Sequence, residues 1–190
     1  MPKLIDEGRV FTAVLELFVA RGYSMTATKE IARSAGVNEA TLFRRYGSKA
    51  ELIVSAVRAH LQDVPLRHLR ATDDVEADLM RIVEAYLETN SEVGAVIPLL
   101  LVEASRHPEL GPALAAAWEN TRVVLGIIEH HQARGALGEE PALAIMTALV
   151  GPLLVLGMFR KATPQQSTFD VDVEQHVRAF LHGRGTAHPR

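Results

Sequence analysis

Apolar residues recur at three- and four-residue spacing along most of the chain, and breakers interrupt them at short intervals. That is the pattern of amphipathic helices. Val10, Ala13, Val14, Leu17 and Phe18 form the first stripe, closed by Gly22. Ile31, Ala32 and Ala35 form the second, and Leu42 is the inward residue of a short third helix. Leu52, Ile53, Ala56, Val57 and Leu61 form the fourth, which Pro65 ends; residues 67–72 read as a loop. Asp73-Asp74 can cap a fifth helix bearing Leu79, Ile82, Val83, Tyr86 and Leu87. A turn at 90–94 leads to a short apolar helix over 97–106, with Pro98 in its first turn. Residues 108–112 break the chain again. A long helix then runs to about Arg134, with Leu114, Ala117, Trp118, Thr121, Leu125 and Ile128 on one stripe, and Gly135 stops it. An eighth helix starts at Glu140-Pro141. A ninth, from about Asp170, carries Val173, Val177, Phe180 and Leu181. The pattern predicts an all-α chain of about nine helices.

The eighth helix is unusual. Residues 142–159 carry no charge, and a run of that length is long enough to cross a membrane. Gly151-Pro152 and Gly157 interrupt it, and it lies mid-chain with only Arg160-Lys161 as a basic flank. A helix apolar all round can instead be buried on two sides, against its own core and against a partner subunit. No membrane association is therefore expected.

The stretch from Thr26 to Leu52 carries the most specific signals. Thr26 can cap the second helix, and Gly36 fits the left-handed position just past its end. Val37 can plug the core between helices. Asn38 is the expected N-cap of a helix over Glu39–Tyr46 that turns Leu42 inward and leaves Thr41, Arg44 and Arg45 on its other faces. A helix, a tight turn with glycine and a short helix with exposed Arg and Thr make a helix-turn-helix, whose second helix enters the major groove. Ser48 and Glu51 have the spacing of a capping box at the start of the fourth helix. Lys49 beside the free N–H groups there suits a phosphate. Charge supports this reading. Residues 1–60 hold nine Lys/Arg against six Asp/Glu, a net +3, and residues 61–190 hold eleven against seventeen, a net −6. The basic part is the part with the motif.

The resemblance extends beyond the motif. Gly22-Tyr23, Thr26, Ile31-Ala32, Ala35-Gly36-Val37, Thr41-Leu42-Phe43, Tyr46 and Lys49 fall at the spacings of the tetracycline-repressor-like (TetR-like) family. The likeness covers residues 10–52 closely, and the remainder only in length and helix order. It implies a homodimeric, all-helical transcriptional regulator with an N-terminal three-helix DNA-binding domain and a C-terminal domain for a small molecule. Repression is the family's common mode. Two positions depart from the pattern. Phe43 stands where a tyrosine often contacts phosphate, and Ala40 stands where glycine often permits closer approach.

These readings assign residues 1–60 to a DNA-binding domain that includes the linking fourth helix. Residues 61–183 form a ligand-binding and dimerisation domain, and 184–190 a loose tail. The eighth and ninth helices of two chains are expected to form a four-helix bundle. Asn38, Glu39, Thr41 and Arg44 sit where base edges are read; Thr26, Lys29, Arg33, Arg45, Tyr46 and Lys49 are placed for phosphates. The arm before the first helix carries only Lys3 and Arg9 and is expected to contribute little. Two-fold symmetry implies a palindromic operator on double-stranded DNA. Met80, Val83, Leu100, Trp118, Met146 and Val150 are candidates for a pocket for an unidentified small-molecule effector. Arg122 is expected to pair with Glu119 or Glu103, or to meet an acidic ligand.

Composition removes other classes. The chain has no cysteine, so disulfide and thiolate chemistry are excluded, which is compatible with a cytoplasmic location. The N-terminus shows no apolar signal segment. No nucleophile elbow, zinc-protease or phosphate-loop pattern appears. The eight histidines are scattered, and adjacent His130-His131 share a helix face poorly. No enzyme, cofactor or metal is expected. The alternative is a ligand-independent protein that organises DNA or scaffolds other proteins.

Overall fold

The computed structural model describes residues 6–92, 96–162 and 170–182. Among these residues there are nine α-helices and no strand. They are α1 (Glu7–Met25), α2 (Thr28–Ala35), α3 (Glu39–Tyr46), α4 (Lys49–Gln62), α5 (Val75–Glu92), α6 (Val96–Ala104), α7 (Gly111–Ala133), α8 (Ala142–Ala162) and α9 (Val173–His182). The expected tail at 184–190 lies outside the described residues.

Caps set most of the boundaries. Asp6 accepts from the Arg9 N–H at the start of α1, Asn38 from Ala40 at α3, and Ser48 from Glu51 at α4. Asp74 does the same for Ala77 in the first turn of α5. Gly22 interrupts α1 as expected, at φ 75°, and one further turn follows before Thr26. The loop expected at 67–72 begins as a 3₁₀ turn over Pro65–His68.

Three local expectations need correction. Thr26 does not cap α2. Ala27 holds that position, and the Thr26 hydroxyl donates to the Gly22 carbonyl at 2.7 Å, sealing the carbonyl that the kink frees. The Ser48 N–H donates to the Tyr46 carbonyl at 2.9 Å, which leaves Glu51 exposed rather than reciprocating the cap. Gly151-Pro152 does not break α8. Pro152 lacks an N–H for the Ala148 carbonyl, yet its ring points outward and the helix continues.

The buried side chains form two clusters. The first gathers Val14 and Phe18 of α1, Ile31 of α2, Leu42 of α3 and Ile53 and Val57 of α4, and it also includes Leu100 of α6 and Ala113 and Ala117 of α7. The second gathers Leu79, Ile82 and Val83 of α5, Val124, Ile127 and Ile128 of α7, Ile145, Leu149 and Leu153 of α8, and Val177 of α9. His176 donates to the Leu149 carbonyl at 2.8 Å and ties α9 to α8. Only one side of α8 is covered. Leu143, Val155, Met158 and Phe159 are exposed, Phe159 by 63%.

A buried polar knot joins α5 to α7. The Asp78 carboxylate, fully buried, accepts from the Thr72 N–H (2.6 Å), the Thr72 hydroxyl (2.7 Å), His131 Nε2 (2.8 Å) and Arg81. Burial by itself raises this carboxyl's pKa. The hydrogen bonds from Thr72, His131 and Arg81 outweigh burial and bring it from 3.8 down to about 2. A depressed folded-state pKa contributes stability above the unfolded value and loses it as pH falls. The shift corresponds to about 2 kcal/mol at neutral pH. Asp78→Asn turns an amide N–H₂ toward donors and is expected to cost about 2–4 kcal/mol in urea unfolding at pH 7. The wild-type advantage over this variant should shrink between about pH 4 and pH 2. A loss that persists undiminished at pH 2 would show that packing, not charge, carries the effect.

Candidate nucleic-acid interface and apolar cavity

The helix-turn-helix is built by a Schellman turn. Gly36 sits at φ 68°, ψ 34°; its N–H donates to Arg33 and the Val37 N–H donates to Ala32 at 2.9 Å. Leu42, 1% exposed, anchors α3 to the first core. At 3.6 residues per turn, Ala40 and Arg44 lie opposite it. Arg44 is exposed and has no carboxylate partner among the described residues; Thr41 is half-buried beside it.

The other nominated residues divide by what they already touch. Asn38 uses its side chain as the cap of α3. Glu39 accepts from the Thr28 hydroxyl at 2.6 Å, linking the starts of α2 and α3. Lys29 and Arg33 are exposed, and Arg33 lies 3.7 Å from Glu30. Lys49 is folded back. Its ammonium donates to the Tyr23 carbonyl at 2.9 Å and sits 4.2 Å from the Tyr23 ring centre. Thr26 is 1% exposed with its hydroxyl turned inward, so it offers no reach to a phosphate where one was expected.

Arg45 and Tyr46 share a carboxylate that the sequence reading did not single out. Glu7 Oε1 accepts from Arg45 Nε (3.0 Å), Arg45 Nη2 (2.6 Å) and the Tyr46 hydroxyl (3.2 Å). The Glu7 hydrogen bond holds the Arg45 guanidinium above its ordinary pKa. Partial burial, then the Glu7 charge, raise the Tyr46 phenol. Glu7 lies 38 residues away in sequence, so no local spacing signals the contact.

A second feature lies among α4 to α8. A cavity of about 340 Å³ is bounded by Leu61, Leu66, Ile82, Tyr86, Leu101, Trp118, Asn120, Met146 and Val150, among others. Its lining contains no charged residue. Thr89, Thr121 and Thr147 line it too, and each hydroxyl donates to a carbonyl four residues back in its own helix. Asn120 Nδ2 donates to the Leu61 carbonyl at 2.9 Å, while its buried Oδ1 has no partner among the described residues. Burial pushes the Tyr86 phenol up to about 12. Such a wall suits an apolar molecule.

Of the candidate pocket residues, Trp118, Met146 and Val150 line this cavity. Met80, Val83, Leu100 and Arg122 do not. Val83 and Leu100 are sealed in the two cores, and Met80 packs against the second. Arg122 is exposed and faces Glu119 at 3.5 Å, the structural pairing. Asn120 was missed, although it interrupts an apolar stripe of α7 between Ala117 and Thr121, and that interruption was the available signal.

Residues 11–56 match the model for bacterial regulatory proteins of the tetR family. An uncharacterised HTH-type transcriptional regulator of Mycobacterium tuberculosis is 26% identical over 178 residues, covering 92% of this chain and 87% of that protein. The HTH-type transcriptional activator FasR of Mycolicibacterium smegmatis is 32% identical over 91 residues, 46% of this chain and 42% of that one. The fold is shared with FadR of Bacillus halodurans, a fatty acid degradation regulator (TM-score 0.71, 15% identity, 94% of this chain and 99% of that chain). It is shared also with FadR of Bacillus subtilis, solved with stearoyl-CoA (TM-score 0.69, 12% identity, the same coverage). The helix-turn-helix and its match over residues 11–56 make that segment one of the tetR type, and the all-helical fold of the described residues is one that solved TetR-family regulators share.

Proposed function

We propose that the chain is a dimeric repressor that binds a palindromic operator and leaves it when an apolar small molecule fills the cavity between α4 and α8. The observation that carries this reading is the uncharged cavity itself, because Leu61 of α4 forms part of its wall. The same helix packs Ile53 and Val57 into the core that holds α1 to α3. A ligand that favours one position of Leu61 would therefore bias α4 and change the spacing of the two recognition helices. Residues 1–60 would carry DNA binding, and 61–183 effector binding and dimerisation. Thr41 and Arg44 would read bases, joined by Glu39 and Asn38 once DNA reorders them; Lys29, Arg33, Arg45, Tyr46 and Lys49 would meet phosphates.

The exposed apolar side of α8 is the expected dimer face, with α9 beside it. Covering Val155, Met158 and Phe159 with the same surface of a second chain removes a patch that a soluble monomer rarely leaves open. Phe159→Glu should convert dimer to monomer in analytical ultracentrifugation without changing helix content. A variant that stays dimeric would move the interface elsewhere.

Glu7 occupies the Arg45–Tyr46 site as a phosphate oxygen would, so DNA must displace it. Glu7→Gln should tighten non-sequence-specific binding several-fold at low salt. Fluorescence anisotropy of labelled duplex reads the affinity. An affinity unchanged from wild type would show that Arg45 and Tyr46 do not exchange Glu7 for a phosphate.

Selection of bound genomic fragments by the purified protein at near-physiological salt tests the whole reading. Recovery of a few fragments sharing a palindrome, with half-sites about one helical turn apart or a multiple of it, is the expected result. Recovery of broad, motif-free DNA would favour the ligand-independent organiser instead.

A further inference from the structure

The apolar cavity has a charged neighbour. A cleft of about 290 Å³ lies behind it, and Arg58, Gln62, Arg67 and Glu119 are among the residues that line it. The two spaces are back to back. Leu61 borders both. Leu66 faces the cavity and Arg67 the cleft; on α7, Asn120 faces the cavity and Glu119 the cleft. Leu61 is common to both linings, and Asn120 grips its carbonyl at 2.9 Å.

The cleft has an unbalanced charge. Among the described residues, neither Arg58 nor Arg67 is paired with a carboxylate, and both are exposed. Glu119, the carboxylate in this lining, faces Arg122 at 3.5 Å. Two guanidiniums lining one concave space raise its potential and favour an anion there, and guanidinium donors match carboxylate and phosphate oxygens. Gln62 adds an amide donor.

We propose that the effector is an amphipathic anion. Its apolar body fills the cavity, and its carboxylate or phosphate head is held by Arg58 and Arg67. This rests on the reading of the cavity as the effector site. Spanning both spaces requires Leu61 to turn aside. Arg58, Leu61 and Gln62 all belong to the last turns of α4, so the ligand grips the end of the helix whose other end adjoins the recognition helix. A neutral ligand would fill the cavity without that grip.

Trp118, the sole tryptophan, borders the cavity, so its fluorescence reports occupancy. The test titrates the full chain with decan-1-ol, decanoate and decyl phosphate below their micelle concentrations, at constant ionic strength. At least one of the two anions should bind about tenfold or more tightly than the alcohol, as expected for charge-assisted bonds at a partly exposed site. Which anion is preferred distinguishes a carboxylate from a phosphate head. In Arg58→Gln/Arg67→Gln the preference should vanish while decan-1-ol affinity stays unchanged, which also shows that the variant is folded. Equal binding of alcohol and anions by the wild type would overturn the head-group site and leave the cavity reading standing, and so would a preference that survives in the variant. Failure of all three to change Trp118 emission would overturn the cavity reading together with it.

Discussion

The two hydrophobic clusters are held in one frame by α7. Over 23 residues, roughly 34 Å at 1.5 Å per residue, this helix places Ala113 and Ala117 in the first cluster and Val124, Ile127 and Ile128 in the second. Its small residues at the first end let α4 approach closely. Its branched residues at the second end fill the space between α5 and α8. Between them lies Asn120, the polar residue that ties the end of α4 to this frame. A helix that crosses both cores resists bending where the packing is dense. The cavity lies beside this frame, where side chains face empty space rather than one another.

Around this frame, charged groups act mainly as local fasteners. Asp78 and His131 lock α5 to α7 through a fully buried pair. Glu7 brings the start of α1 to the end of α3 through Arg45 and Tyr46. Tyr23 stacks near His107, 4.4 Å between ring centres, and Ser24 lies 3.2 Å from His107 Nε2, joining the end of α1 to the segment before α7. Each link spans a long stretch of sequence. Of these, the Tyr23 and Ser24 contacts with His107 tie α1 to the helices beyond α4, while the hydrophobic stripes supply the attraction.

Much of the fold was legible from residue spacing. The stripes of α1, α5 and α9 pack where the periodicity places them, because an amphipathic helix has one way to bury its apolar face, whereas α7 buries Ala113, Asn120, Val124 and Ile127 beside Ala117 and Ile128 and leaves Trp118 of the expected stripe exposed. Gly36 and Asn38 mark the turn through backbone chemistry that few other residues satisfy. The candidate site was less legible. Val83 and Leu100 have the same composition as true cavity residues, and only the fit of neighbouring helices decides which apolar side chains meet each other and which meet a void. Thr26 shows the same limit for polar residues. Its hydroxyl can cap forward or bond backward, and the carbonyl freed by the Gly22 kink decided for the latter.

The sequence by itself determined the all-helical class, the helix-turn-helix and the sign of charge over each part of the chain. These follow from local backbone preference and from residue counts, which need no knowledge of distant neighbours. Only the tertiary structure decided that Glu7 covers Arg45 and Tyr46, that Lys49 folds onto Tyr23, and that Leu61 divides an uncharged cavity from a cleft bearing two arginines. Those outcomes depend on how helices far apart in sequence approach one another. That approach is set by the summed packing of both cores rather than by any single residue.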